Sequence, residues 1–131
     1  MTVRALLDTH AWLWMLTEPA RLGDARSVIE DPDSSLFLSA ASSWEIAIKY
    51  SLGRLPLPEP PHRYVPERIR SSAVTSMPIE HAHTLAVAAL PHHHRDPFDR
   101  ILIAQAMAEG MPILTADRAL AAYEVDVILV G

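Results

Sequence analysis

The stretch Arg95-Asp96-Pro97-Phe98-Asp99-Arg100-Ile101-Leu102-Ile103-Ala104-Gln105-Ala106 decides the reading of this chain, because a charged helix mouth runs directly into an apolar helix body. Asp96 occupies the N-cap position and Pro97 the first helical position, where a missing N–H does no harm; Asp99 lies one turn in, toward the same end. Ile101, Leu102, Ala104, Gln105 and Ala108 continue a mostly apolar helix that closes at Gly110. Such a helix belongs against a sheet. One carboxylate at a helix start is ordinary, so the function turns on whether other acids gather near Asp99.

Downstream, residues 111–115 predict a strand, 116–123 a short helix and 125–130 a last strand. Upstream, residues 3–8 form an apolar run ending on Asp8, followed by a helix with Trp12, Leu13 and Leu16 that stops before Pro19. Helical spacing recurs over residues 22–30. A second strand at 36–39 leads to a helix opened by Ser42-Ser43-Trp44-Glu45 and ended at Gly53. Residues 54–66 are rich in proline and predict a surface excursion, residues 67–72 a turn or two of helix, 74–79 a strand and 80–90 an alanine-rich helix. Strands alternating with helices predict an α/β fold, a three-layer α/β/α sandwich around a central, mostly parallel sheet. At 131 residues, half of them apolar, the expectation is one domain over residues 1–131.

The chain has no cysteine, which removes disulfides, thiolate zinc sites and cysteine nucleophiles and fits a reducing, cytoplasmic setting. Its longest early apolar run is broken by Asp8 and His10 and lacks a basic flank, so neither a signal peptide nor a membrane span is expected. With 16 acids against 11 bases the net charge is −5, which argues against non-specific gripping of nucleic acid by its phosphates. A bound metal ion would soften that objection locally.

In an open parallel sheet, sites lie outside the carboxyl ends of the strands. Four acids obey this rule: Asp8 ends the first strand, Glu45 follows the second by about two helical turns, Asp99 opens a helix and Asp117 follows the fourth strand. Each also has a plain structural role open to it. Asp8, Asp96 and Asp117 suit helix caps, Asp99 suits a positive helix end, and Glu45 stands three residues after Ser42 as a capping-box partner. If the topology holds, however, these groups crowd one crevice and raise one another's pKa, a repulsion that a cation relieves. An all-oxygen site suits Mg²⁺, with Mn²⁺ as the alternative ion.

The run His92-His93-His94 and the pair His81 and His83 do not form a closed zinc set without cysteine, and His94 beside Arg95 is at most an outer partner of the acids. Trp12 and Trp44 are expected in the core or in an oligomer interface rather than stacked on bases. No Gly-rich phosphate loop or serine elbow is present.

Nearly end to end, the chain resembles the PIN-domain VapC toxins of bacterial VapBC toxin–antitoxin pairs. The resemblance rests on LLDTHAWLW at residues 6–14, SAASSWEIAIKYSLGRLPLP at 39–58, HRDPFDRILIAQA at 94–106 and ILTADRAL at 113–120. It implies a Mg²⁺-dependent endoribonuclease whose acidic quartet is Asp8, Glu45, Asp99 and Asp117, with Asp8 and Asp99 foremost as direct ligands and Asp96 as an accessory acid. It further implies an RNA substrate, a homodimer, and a VapB-like antitoxin whose tail enters the acidic groove. Arg95, Arg100 and Arg118 read first as surface ion-pair partners, with contact to the RNA backbone as their alternative role. The competing readings are a non-catalytic PIN-like module that binds RNA or protein and uses the acids only as caps, and a phosphatase, which Asp8-Thr9-His10 disfavours because no second acid follows two residues on.

Overall fold

The computed structural model describes residues 3–131 and contains five strands: β1 (Arg4–Leu7), β2 (Ser35–Ser39), β3 (Thr75–Met77), β4 (Ile113–Thr115) and β5 (Val127–Leu129). Alternation along the strands sets the two faces of the sheet. Ala5 and Leu7 enter one core and Leu6 the other; Leu36 and Leu38 oppose Phe37 in the same way, and Leu114 opposes Ile113. All pairings are parallel, in the order β3-β2-β1-β4-β5, with Leu6 in register with both Phe37 and Ile113. The order reverses between β1 and β4. That switch point opens a crevice at their carboxyl ends.

Helices cover both faces. On one, α1 (Thr9–Thr17), α2 (Arg26–Glu30), α3 (Ala40–Ser51) and α4 (Pro61–Ser71) bring Trp12, Ile29, Ile46 and Tyr64 against Ala5 and Leu7. On the other, after the short α5 (His81–Ala86), α6 (Pro97–Glu109) packs Ile101, Leu102 and Ile103 on Leu6 and Ile113. Residues 100–106 of α6 are all buried, as a helix pressed onto a sheet requires, and Gly110 closes it in the left-handed conformation at φ 62°. Trp12 is fully buried, with its indole N–H donating to Ser72 Oγ at 3.2 Å.

Several boundaries differ from the sequence expectation. α4 starts at Pro61 rather than at residue 67, because Pro60 and Pro61 occupy the cap and the first turn, where no N–H is needed. Pro66 lies inside it and removes only the bond to the His62 carbonyl, while Tyr64 and Val65 anchor the helix by burial. α3 starts at Ala40, capped by Ser39, whose Oγ accepts the Ala41 N–H at 3.0 Å. The segment expected as one helix over 22–30 is a 3₁₀ segment, Pro19–Ala25, turning at Gly23 (φ 59°) before α2. The alanine-rich segment ends as a 3₁₀ turn, Val87–Ala89, and Arg118–Ala122 is likewise 3₁₀. Among the described residues no helix is long and apolar enough to cross a membrane.

Candidate active site

Asp8, the residue after β1, caps α1: its Oδ1 accepts the Ala11 N–H at 2.8 Å, and its Oδ2 accepts the hydroxyl of Thr115 from the end of β4. Thr115 Oγ1 in turn accepts the Asp117 N–H at 3.0 Å, so one threonine ties two acids to the switch point. Asp117 caps the 3₁₀ turn that follows, accepting the Ala119 N–H at 3.0 Å. Asp96 caps α6 through the Phe98 and Asp99 N–H groups, at 2.8 and 3.4 Å. Asp99 is the acid of the first turn.

Glu45 is not the capping-box partner of Ser42. α3 begins earlier than the sequence suggests, so Glu45 falls in its second turn, and Ser42 Oγ accepts from Thr9 Oγ1 at 2.9 Å, joining α1 to α3. The Glu45 side chain is 7% exposed and its Oε2 takes the ammonium of Lys49, the chain's one lysine, at 2.6 Å. All five acids line one crevice of about 270 Å³, with Thr9, His10 and Lys49 between them. A larger cavity of about 580 Å³, lined from α6 and the 3₁₀ turns, is mainly apolar, with Tyr123 and Glu124 as its polar side chains and no cluster of acids.

The crowding has an electrostatic signature. Burial, then the neighbouring carboxylates of Asp96, Glu45 and Asp8, push the Asp99 pKa up to about 6. Burial also raises the Asp8 carboxyl, against the opposing hydrogen bonds from Thr115 and Ala11. Among the described residues Lys49 is the one lysine or arginine lining this crevice, against five carboxyl groups. The donors suit a hard divalent cation: carboxylate oxygens predominate, and single oxygens of Asp99 and Asp117 and a ring nitrogen of His94 lie within 4.8 Å of one another.

With this arrangement of acids at a parallel-sheet switch point, the sequence matches the PIN domain family over residues 5–126. The chain belongs to the PIN-domain family.

Two relatives of this PIN domain come from Mycobacterium tuberculosis (strain ATCC 25618 / H37Rv). Ribonuclease VapC16 is 48% identical over 63 residues, a match that takes in 48% of this chain and only 45% of that protein. Ribonuclease VapC22 is 30% identical over 121 residues, 90% of each chain. Among solved structures, a chain in the crystal structure of VapBC2 from Rickettsia felis bound to a DNA fragment from their promoter superposes with a TM-score of 0.71 at 11% identity, over 98% of this chain and 100% of that one. A domain of a functionally unknown protein from Methanocaldococcus jannaschii DSM 2661 gives 0.54 at 13% identity, over 98% and 91%. At such identities the structures speak for the fold alone, a five-stranded parallel sheet with helices on both sides.

Around the PIN-domain crevice, the other side chains divide between buried and exposed positions. Arg100 is neither free to hold RNA nor a surface ion-pair partner: it is buried, and its guanidinium donates to the carbonyls of Pro91, Val87, Leu90 and His94 at 2.8, 3.2, 3.3 and 3.4 Å. Arg95 and Arg118 are exposed, and neither joins an ion pair among the described residues. Trp44 is 57% exposed and T-shaped to Phe98 at 5.1 Å, so of the two places expected for it the core is excluded. His83 is buried and locally bonded, its Nδ1 accepting the Glu80 N–H. The sequence reading misses Thr115 and Tyr123. A polar residue closing an apolar strand is a signal for the first; nothing local marks the second.

Proposed function

We propose that this chain, as one PIN domain over residues 1–131, is a divalent-metal-dependent endoribonuclease, with Mg²⁺ or Mn²⁺ as its ion and Asp8, Glu45, Asp99 and Asp117 as its working acids. The observation that carries this reading is that Glu45 and Asp99 cap nothing. Asp8, Asp96 and Asp117 do cap helices, as the non-catalytic alternative requires, but capping does not account for two further acids in the same crevice or for an Asp99 carboxyl raised to about 6. The names of Ribonuclease VapC16 and Ribonuclease VapC22 support the same activity.

A divalent ion in such a site supplies Lewis acidity to a phosphodiester oxygen and makes water acidic enough to serve as a nucleophile at neutral pH. Asp8, Asp99 and Asp117 would hold it, with Asp96 an accessory acid beside them. Both Asp8 oxygens already accept one hydrogen bond, which fixes the plane of the carboxylate and leaves each a lone pair. Glu45 Oε2 is occupied by Lys49, so Oε1 is the atom left to orient the attacking water and receive its proton. Of the three candidate arginines, Arg95 and Arg118 are exposed and unpaired among the described residues and so are the two able to meet an RNA backbone.

The same reading makes the chain the cytoplasmic toxin of a toxin–antitoxin pair, a homodimer silenced by a VapB-like antitoxin. The exposed Trp44, Leu52 and Leu85, at 57%, 60% and 74%, supply apolar area for protein contacts. Antitoxin-free protein incubated with structured RNA tests the activity. Cleavage with Mg²⁺ or Mn²⁺ that EDTA abolishes is expected; cleavage undiminished by excess EDTA overturns it.

A further inference from the structure

His94 precedes α6 in an irregular loop, yet its main chain is held on both sides. Its N–H donates to the Tyr123 hydroxyl at 2.9 Å, and its carbonyl accepts from the buried Arg100 guanidinium at 3.4 Å. Its ring is engaged at both nitrogens, Nδ1 lying 3.3 Å from the same tyrosine hydroxyl and Nε2 3.2 Å from Asp117 Oδ2. Tyr123 is itself buried, with the His93 ring T-shaped against it at 4.8 Å between centroids.

For a neutral imidazole, one assignment of protons satisfies every group. The Tyr123 oxygen accepts the His94 N–H with a lone pair and gives its own proton to Nδ1, which leaves the ring proton on Nε2, aimed at a carboxylate that can only accept. The other tautomer sets a bare Nε2 lone pair against an anion. With Oδ1 on the Ala119 N–H, both oxygens of Asp117 are then held, although its side chain is 47% exposed.

We propose that His94 is a positioning residue whose Nε2–H, set by Tyr123, fixes the Asp117 carboxylate beside Asp99 and so keeps the divalent-ion site in shape. It acts through Asp117 and is not a ligand, since both ring nitrogens are committed. The inference rests on the metal-dependent reading of the crevice.

The test uses the whole chain and Mn²⁺ as the probe, without RNA. Free Mn²⁺ is followed by electron paramagnetic resonance for wild type, His94→Ala, His94→Gln and Tyr123→Phe. His94→Ala should weaken Mn²⁺ binding about tenfold or more, the effect of losing an outer partner of a ligand. His94→Gln, whose amide N–H reaches the same carboxylate without needing Tyr123, should recover most of the loss, and Tyr123→Phe should lose several-fold. A role confined to folding would lower melting temperatures in EDTA without this pattern of affinities. Binding by His94→Ala within twofold of wild type, a Gln variant no tighter than Ala, or nitrogen coupling to bound Mn²⁺ that vanishes in His94→Ala each overturns the proposal. Should His94→Ala not fold, Tyr123→Phe carries the test, and unchanged affinity there overturns it. Wild type that binds no Mn²⁺ removes the metal-dependent reading as well; wild type that binds beside an indifferent His94→Ala removes this inference alone.

Discussion

The Thr115 hydroxyl donates to Asp8 Oδ2, joining the ends of β4 and β1 across the switch point of the sheet. Thr115 Oγ1 also accepts the Asp117 N–H, so a single side chain sets the spacing of two acids. Thr115→Val keeps the shape but orphans a buried carboxylate oxygen and an N–H. It should cost about 1–3 kcal/mol by chemical denaturation and weaken divalent-ion binding, whereas Thr115→Ser should lie near wild type. Equal stability and affinity in Val and Ser variants would remove Thr115 from the account.

Glu45 should separate chemistry from folding. Glu45→Gln keeps an oxygen for Lys49 but cannot take a proton, so kcat for RNA cleavage should fall by about 10²–10⁴, while the melting temperature moves little. A variant that keeps full kcat would assign the proton to another group.

Arg100 is expected to matter for stability rather than for RNA. Arg100→Met leaves four carbonyls without their donor and should cost on the order of 3 kcal/mol, with faster hydrogen exchange confined first to the loop before α6. Weaker RNA affinity at unchanged stability would contradict the burial argument.

How much of this was legible in the sequence follows from what each signal depends on. The sheet and the acids at its carboxyl edge are local patterns: apolar runs such as residues 111–115, and caps such as Asp96 before Pro97, announce themselves within a few positions. Glu45 was legible as a site acid while its local role was not, because Ser39 and Ser42 are both plausible caps and only packing chooses between them. Arg100 reads as one more charge at a helix mouth, since burial is a property of the fold. The contacts of Tyr123 with His94 and of Thr115 with Asp8 span 29 and 107 positions, and no window along the chain holds both partners.

Acidity supplies a further check. Asp99 is raised from the ordinary 3.8 to about 6, so between those values the folded protein binds more protons than the unfolded chain. Metal-free stability should therefore fall as pH rises from about 4 to about 6, and Asp99→Asn should flatten that fall. Divalent-ion binding should strengthen over the same interval, because the ligand must lose its proton. Melts in EDTA across this range check the first statement, and ion titrations at each pH the second.

The central claim is that the acids form one cation site rather than a set of helix caps, and Asp99→Asn addresses it most directly, since the Asp99 carboxylate caps nothing in the structure. In EDTA at neutral pH the variant should melt at or above wild type, by up to a few degrees, because relieved repulsion outweighs a weaker interaction with the α6 dipole. Adding Mg²⁺ should raise the wild-type melting temperature increasingly with concentration and do far less for Asp99→Asn. Equal Mg²⁺ shifts in the two proteins, or none in wild type, would contradict the account.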